Sequence, residues 1–493
     1  MNSSKDHHAI GSQDGIPNQW QPVSSMPQRV AVVGAGIAGL TAAYRLKQAG
    51  MDVTVFEAQP VVGGRMGDRK VGDIAFNSGA RLVYPFGKSF NRLIADLSLD
   101  DILVPLKNLT AQCVAPSGSR HTIELMPSAR SLATPGLRLT ERLAMIRHAV
   151  QMRALKSRVD PDWAISALGV DATFDQMTLA AYTRDRVGPN VLKNIVEPVF
   201  RATRSFNPET LSALFYLTTV PHLIGEDTVY TLKGGMGRVC HALAAQLTVR
   251  TGVRVASIER HGASGTANDT QTPHSPWTQP DMTLTLDHGE VLHFDHIVCA
   301  VEGSLARQLV KRPLEPERAM LDSVHYNALG VVHYGFAGPL PPMMNFATRD
   351  TPSRIATYQQ LPAAPSQGRP LTQIYCQLTP EAADEARERG LTDNLDALLR
   401  DELRARIPDF DAQVLSVVNQ WIPHKLPVFS PGYGARLQAF WQWQEGPARV
   451  VDRPVVYCGD WTAQALLTGA CASGERAARI VLERASKRMV QRA

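Results

Sequence analysis

Three glycines near the start of the chain have the spacing of a nucleotide-binding turn. Gly34, Gly36 and Gly39 follow four apolar residues that predict a strand, and an alanine-rich segment that predicts a helix comes next. The first glycine allows a tight turn, the second lets the backbone approach a pyrophosphate, and the third lets helix and strand pack closely. The turn, with Ile37 and Ala38 inside it, therefore predicts a dinucleotide site.

A carboxylate ends the second predicted strand. The strand runs from Asp52 to Phe56, and Glu57 follows it about 20 residues after the turn, where an acid binds both ribose hydroxyls and disfavours a 2′-phosphate. The same turn serves NAD and FAD, so the fingerprint leaves both cofactors open.

Later segments favour FAD by their order along the chain. They resemble the flavin-containing amine oxidase superfamily, nearest its branch of protoporphyrinogen oxidases and phytoene and squalene-type desaturases. The resemblance covers nearly the whole chain. It rests on the early turn together with Gly63-Gly64-Arg65, Gly79-Ala80-Arg81, a predicted strand at Val253 to Ile258, and Gly459-Asp460 after a predicted strand at Val455 to Cys458.

The resemblance assigns roles to these residues. It implies that Arg65 wraps the FAD pyrophosphate, that Asp460 binds the ribityl chain, and that Val255 meets the adenine through its backbone. The resemblance also implies that backbone N–H groups around Leu467, at the start of a helix, face the flavin pyrimidine carbonyl. Relatives with covalent flavin use a cysteine in the segment corresponding to residues 429–433, which has none here. We therefore expect noncovalent FAD.

The implied fold is α/β, with a Rossmann-like FAD-binding domain of the GR2 type interleaved with an α+β substrate domain. At 493 residues the chain is long enough for two cores. We predict a flexible leader over residues 1–28, an FAD-binding domain from residues 29–84, 230–304 and 421–493, and a substrate-binding domain from residues 85–229 and 305–420. A polar loop is predicted over 262–280.

Two departures from the amine oxidase pattern bear on the substrate. Such enzymes usually carry a lysine on the strand equivalent to 331–336, and this chain has none at the aligned place near Gly330. Where they have an aromatic cage residue, this chain has Leu466. Both departures favour an apolar or heteroaromatic small molecule. We expect removal of hydride from a C–H bond, with oxygen or a quinone as the electron acceptor.

Other functions stay open. One is a flavin oxidase acting on an amine or amino acid at a C–N bond, with Arg81 or Arg201 holding a carboxylate. Another is a non-catalytic protein in which FAD is structural. Candidate bases for the accompanying proton are residues near cofactor-contacting segments, namely Tyr84, His333, His424 and Tyr433.

Composition and charge bear on the partners, metal sites and location of the protein. A net charge of +5 gives no indication of nucleic-acid binding. The six cysteines lack metal or disulfide spacing, so we predict no metal site and a cytoplasmic location. A basic amphipathic helix over 139–158 has two interpretations: peripheral contact with an anionic membrane, or a solvated face over a stripe in the core, which we favour.

Overall fold

The computed structural model describes residues 28–260, 282–338, 343–366, 369–446 and 455–492. The predicted leader lies outside this range except for Gln28, which is buried and whose side-chain oxygen lies 2.9 Å from His296 Nε2. The loop predicted over 262–280 also lies outside the described residues.

The strands and helices are as follows. The strands are β1 (Arg29–Val33), β2 (Asp52–Glu57), β3 (Asp68–Val71), β4 (Ile74–Asn77), β5 (Leu103–Lys107), β6 (Thr110–Val114), β7 (Arg120–Glu124), β8 (Thr228–Leu232), β9 (Thr248–Thr251), β10 (Val255–Arg260), β11 (Met282–Leu286), β12 (Val291–Phe294), β13 (His296–Cys299), β14 (Tyr326–Ala337), β15 (Met343–Ala347), β16 (Ile355–Ser366), β17 (Arg369–Leu378), β18 (Val414–Pro427) and β19 (Val455–Tyr457). The helices are α1 (Ile37–Gln48), α2 (Lys88–Asp96), α3 (Leu139–Leu155), α4 (Thr173–Gln176), α5 (Leu179–Arg186), α6 (Pro189–Val191), α7 (Glu197–Arg204), α8 (Ala213–Thr219), α9 (Arg238–Ala244), α10 (Gly303–Leu309), α11 (Glu315–Asp322), α12 (Pro380–Glu388), α13 (Asp396–Arg406), α14 (Phe410–Gln413), α15 (Tyr433–Glu445) and α16 (Leu467–Arg492).

A five-stranded parallel sheet carries the glycine turn. Its order is β19-β13-β1-β2-β9. Strand β1 therefore lies between β2, which follows it in sequence, and β13, which comes much later. Residues 30–33 are almost fully buried because both faces of a parallel sheet are covered. A crevice at the carboxyl ends of the strands, where the order reverses, is the usual ligand site of such sheets. The predicted α/β class with a Rossmann-like region is confirmed.

A second, seven-stranded sheet lies across the cavity described below. Its order is β18-β14-β17-β16-β15-β6-β7, and every pair is antiparallel except β15 with β6. One face packs on α12 and α13 through a core that includes Tyr334, Leu395 and Leu399. The opposite face contributes Tyr375 and Gln377 to the cavity. The sheet draws on segments from residue 110 to residue 427, so it extends beyond residue 420.

Helix α3 presents its apolar stripe to solvent. The buried side chains on α3 are Glu141, His148 and Met152. Glu141 accepts hydrogen bonds from the backbone N–H groups of Arg138 and Asn190, at 2.8 and 2.9 Å. These bonds hold the side of α3 that carries Glu141 against the rest of the protein. Our interpretation of the stripe as part of the core is therefore wrong. The stripe residues and their exposures are Leu139 (73%), Leu143 (58%), Ile146 (49%) and Val150 (67%).

In the part of the chain that the structure describes, no helix is both long enough and apolar enough to cross a membrane.

Candidate active site

A cavity of about 970 Å³ runs from the glycine turn to the face of the seven-stranded sheet. Most of the predicted cofactor residues line it, although they come from segments far apart in the sequence. They are Gly34, Gly36, Ile37, Ala38, Glu57, Gly63, Gly64, Arg65, Gly79, Ala80, Arg81, Val255, Gly459, Asp460 and Leu467. Gly39, the remaining predicted residue, lies outside the cavity, in the contact between α1 and β1.

The three glycines of the turn differ in what a side chain would meet. At Gly39 a Cβ would lie 2.1 Å from the carbonyl oxygen of Gly34, so this position requires glycine for packing. Gly34 has a φ of +104°, in the left-handed region that favours glycine. At Gly36 a Cβ would meet nothing within 4 Å. The protein leaves this space open beside the N-terminus of α1, which suits a pyrophosphate.

Glu57 is anchored by the backbone at the wall of the cavity. Its Oε2 accepts from the N–H of Ala35 at 2.8 Å, and its Oε1 accepts from the N–H of Gln59 at 2.9 Å. Each carboxylate oxygen has a further lone pair, and the side chain is half-buried. A ribose diol fits this acceptor pair.

Arg65 and Asp460 meet in the middle of the cavity as a bidentate ion pair. The nitrogen–oxygen distances are 2.8 and 2.9 Å, and Arg65 also donates to the carbonyl oxygen of Lys425 at 2.9 Å. Burial alone would lower the pKa of Arg65, but Asp460, together with Tyr326 and Glu302, raises that pKa above its usual value. Helix α16 begins beside this pair at Leu467, where the first N–H groups have no acceptor within the helix. An open turn, a diol acceptor and a helix N-terminus fit a flavin dinucleotide.

Tyr84 is the only one of the four predicted bases among the described residues that line the cavity. Its ring stacks on Phe86 with the ring centroids 5.1 Å apart. A guanidinium nitrogen of Arg204 lies 3.4 Å from its hydroxyl oxygen. Tyr84 is therefore positioned to contact a bound molecule.

His424 and His333 do not line the cavity, and each contacts a neighbouring polar side chain. The Nδ1 of His424 lies 2.5 Å from Oε2 of Glu302, and Glu302 itself lines the cavity. His333 has its Nε2 3.0 Å from Oε1 of Gln420, and its ring stacks on Phe76. Burial lowers the pKa of His333 to about 4, so its imidazole is neutral near pH 7.

Tyr433 is fully buried and has a structural contact. Its hydroxyl donates to the carbonyl oxygen of Trp461 at 2.7 Å, and its ring stacks on Phe429 with the centroids 4.5 Å apart. Burial raises the pKa of this phenol well above its usual value. Tyr433 is not among the residues that line the cavity.

Sequence reasoning missed Lys425, a lysine on the cavity wall near the end of β18. It is buried, and its Nζ donates to Ser205 Oγ at 2.9 Å and to the carbonyl oxygen of Thr203 at 3.3 Å. Burial, with further contributions from Arg81 and Arg204, lowers its pKa well below the usual value. Side chains alternate between the two faces of a strand, so Lys425 lies on the same face of β18 as Pro427, and both are buried. This alternation was the signal in the sequence that could have identified Lys425.

Arg81 and Arg204 line the cavity with Lys425, and the residues that the structure describes provide no carboxylate partner for either arginine. The guanidinium carbon of Arg81 lies 4.3 Å from the ring centre of Tyr375, and that of Arg204 lies 5.0 Å from the ring centre of Phe215. Both guanidiniums thus rest on aromatic rings. We call Arg81, Arg204 and Lys425 the cationic patch, in which the two guanidiniums carry the positive charge.

Arg201, proposed as an alternative carboxylate ligand, is occupied elsewhere. It is buried and forms a bidentate pair with Glu381, at 2.7 and 2.8 Å. It is not among the cavity residues, so of the two arginines considered for a carboxylate only Arg81 faces the cavity.

Cysteine and metal chemistry have little support at this site. All six cysteines are free and buried. Within the described ranges, no group of three or more His, Cys, Asp or Glu side chains could hold a metal ion.

Comparison with known proteins agrees with this geometry. Residues 37–482 match the family model described as flavin containing amine oxidoreductase. The chain is 24% identical over 331 residues to coproporphyrinogen III oxidase of Bacillus subtilis, covering 64% of this chain and 68% of that protein. It is 43% identical over 72 residues to protoporphyrinogen oxidase 2 of Arabidopsis thaliana, covering 15% and 14%. A putrescine oxidase double mutant superposes with a TM-score of 0.69 at 18% identity, covering 93% of this chain and 99% of that one.

Proposed function

The chain belongs to the flavin-containing amine oxidoreductase family, and from this premise we propose that it binds FAD noncovalently and removes hydride from a C–H bond of a small molecule. The substrate would have a largely apolar body and an anionic group. When bound, FAD supplies the hydride acceptor. The remaining steps fall to the residues of the chain.

One observation carries this proposal: the cavity continues from the predicted cofactor residues into a chamber whose walls are mostly apolar and also contain the cationic patch and the amides of Gln359 and Gln377. The apolar walls favour a hydrocarbon or heteroaromatic body. They are formed by Leu106, Leu109, Leu125, Leu329, Met344, Phe346, Trp421, Ile422 and Leu466.

The cationic patch supports the anionic group. A cation in a low-dielectric site without a counterion is costly, and a bound carboxylate removes that cost by charge-assisted hydrogen bonds. Arg81 and Arg204 can each offer a fork of N–H donors to a carboxylate. Contact with the rings of Tyr375 and Phe215 restricts the orientations of the two guanidiniums. Such a contact fixes the substrate at one end and holds the reacting carbon in place.

Lys425 is our candidate for the group that takes the accompanying proton. With its pKa well below the usual value, the amine is neutral over part of the accessible pH range. Its two N–H bonds then serve Ser205 and Thr203, which leaves the lone pair to accept a proton from the substrate. The ammonium that forms lies near the substrate carboxylate, whose charge stabilises it.

The experiment is an anaerobic screen for bleaching of the flavin absorbance by purified holoprotein. Reduced heteroaromatic or hydrocarbon carboxylates form one set, their methyl esters a second, and amines without a carboxylate a third. We expect bleaching by the carboxylates and weak or no bleaching by the esters. Bleaching by the amines alone would overturn the proposal, and no bleaching by any donor would favour a structural flavin. Reoxidation by oxygen or by a soluble quinone then identifies the acceptor.

A second candidate function is favoured by Arg81, which faces the cavity without a carboxylate partner in the described structure. In this alternative the substrate is an amino acid oxidised at its C–N bond, with the carboxylate on Arg81. The superposition on a putrescine oxidase supports only the fold. Stoichiometric release of ammonia during turnover would establish this alternative, and turnover without ammonia would exclude it.

A further inference from the structure

Helix α3 carries an exposed apolar row on the side opposite its buried face. At 3.6 residues per turn, the spacings of four, three and four residues align the row along one side of the helix, and Glu141, His148 and Met152 lie on the other side. The exposed fractions of the four residues of the row range from 49% to 73%. The row consists of Leu139, Leu143, Ile146 and Val150.

Such a row is unusual on this protein. Eleven large apolar residues of the described chain are substantially exposed, and the other seven lie in seven different places along the sequence. Single exposed apolar residues need no explanation, but a contiguous patch marks an interaction surface. The row needs an apolar partner along about three turns of helix.

Basic side chains border the row on both sides. Around the helix, Arg142 and Arg153 lie next to the row on one side and Arg147 on the other. The single acid of the helix, Glu141, is buried beneath its N-terminus and accepts hydrogen bonds there. Positive charge bordering an apolar stripe, with no exposed acid on the helix, complements an anionic, apolar-cored surface.

From this arrangement we propose that α3 lies in the surface of a lipid bilayer that contains anionic lipid. The row enters the boundary between headgroups and acyl chains, while the arginines contact lipid phosphates. A protein groove would need acids to match the arginines and a concave wall to match the row. A bilayer supplies both the negative charge and the apolar depth without any specific shape.

The test is flotation of the full-length holoprotein with vesicles of phosphatidylcholine, alone or mixed with phosphatidylglycerol. We expect binding to the mixed vesicles that weakens as salt is added, because screening reduces the attraction of exposed charges. Binding to neither kind of vesicle would overturn the proposal. Equal binding to both kinds would overturn the role of the arginines.

Two pairs of variants localise the contact. The double variant Leu143→Gln/Ile146→Gln should lower the partition coefficient by about tenfold or more, since two apolar side chains lose their burial. Its matched control is Val291→Gln/Leu415→Gln, at two exposed apolar positions elsewhere. The variant Arg147→Gln/Arg153→Gln should lose about fivefold per arginine, compared with Arg120→Gln/Lys311→Gln at exposed positions away from α3.

Other partners of the row give different results. If the row instead binds a second copy of the chain, the protein will sediment as a dimer without vesicles and the Leu143→Gln/Ile146→Gln variant as a monomer, which overturns the proposal. Loss of vesicle binding in the control variants would overturn it too. None of the row residues lines the cavity, so flavin reduction should be unchanged in all four variants.

Discussion

The guanidinium of Arg65 and the carboxylate of Asp460 form a bidentate ion pair across the middle of the cavity, with nitrogen–oxygen distances of 2.8 and 2.9 Å. Arg65 follows β2 and Asp460 follows β19, so the pair joins two segments far apart in the sequence. Removing Arg65 leaves Asp460 buried without its counterion, and removing Asp460 leaves the half-buried Arg65 without one.

Asp460→Asn should therefore weaken FAD binding by about 10- to 100-fold, as expected when a buried charged hydrogen bond is lost. Titration of apoprotein with FAD, followed by flavin fluorescence, measures the dissociation constant. Asp411→Asn is the matched control, because Asp411 pairs with two arginines on an exposed surface. An unchanged FAD affinity in Asp460→Asn would show that the pair has no part in holding the cofactor.

Gly36→Ala and Gly39→Ala should separate cofactor binding from folding. A methyl group at Gly36 meets no protein atom within 4 Å, so the apoprotein should unfold at the same temperature while FAD affinity falls at least about tenfold. A methyl group at Gly39 would lie 2.1 Å from a carbonyl oxygen, so this variant should lower the melting temperature itself. Thermal unfolding of both apoproteins makes the comparison. Equal melting temperatures for the two variants would contradict it.

Arg81→Met and Arg204→Met should raise KM for a carboxylate substrate by about 10- to 100-fold each, because each removes charge-assisted hydrogen bonds to the anion. The methyl ester of the same substrate should show little change, which makes it an internal control. Arg120→Met, at an exposed position, controls for loss of a positive charge. If KM for ester and acid rises equally, the arginines shape the chamber rather than bind the anion.

Lys425→Met should reduce the rate of flavin reduction by about 10² to 10⁴-fold, the range for a lost general base. In the unmodified protein the rate should fall as the pH decreases through the lowered pKa of Lys425, because protonation removes the base. This limb should be missing from the variant. Anaerobic stopped-flow reduction across pH measures it, and an identical limb in the variant would reject Lys425 as the base.

The stability of the same variant should move in the opposite direction. The unfolded chain binds a proton at Lys425 below pH about 10.5, but the folded chain does so only at a lower pH, so folding loses stability as the pH falls through that window. Methionine removes this loss. Lys425→Met should therefore melt above the parent protein at neutral pH, and the difference should shrink toward pH 10.5. A variant less stable at every pH would contradict the neutral, buried amine.

Tyr84→Phe and Tyr433→Phe should differ in what they change. The hydroxyl of Tyr433 holds a buried backbone carbonyl, so its loss should cost about 1 kcal/mol of stability and leave kcat nearly unchanged. Tyr84 faces the cavity, so its hydroxyl should affect kcat or KM without a matching loss of stability. Kinetics and thermal unfolding of the two variants make the test. A kinetic defect in Tyr433→Phe alone would reverse the assignment.

Sequence alone was sufficient for the features built from neighbouring residues. The strand, turn and helix from β1 to β2 are one contiguous segment, in which Gly34 needs a positive φ and Gly39 packs against the carbonyl oxygen of Gly34. The turn therefore predicts the sheet, the site at its carboxyl edge and Glu57 beside it. The family resemblance added Arg65 and Asp460, which no local pattern connects, and the structure places them in contact.

The cationic patch was decided by the tertiary structure. Arg81 lies in the loop between β4 and α2, Arg204 ends α7 and Lys425 lies on β18, so only the packing of these segments brings the three to one wall. No periodic pattern in the sequence predicts that these three side chains lie close together. The same packing leaves His333 and Tyr433 outside the cavity lining, although both lie on segments next to it.

Helix α3 shows the same division between sequence and structure. Its sequence determines that apolar side chains recur on one side, because an α-helix repeats every 3.6 residues. It does not determine which side turns inward, because that depends on the partners each side finds. On the buried side, Glu141 and His148 form hydrogen bonds with Asn190 and Tyr216, and Met152 packs into a hydrophobic cluster with Leu214. These contacts leave the apolar row exposed to solvent, so the orientation of the helix is determined by the tertiary structure alone.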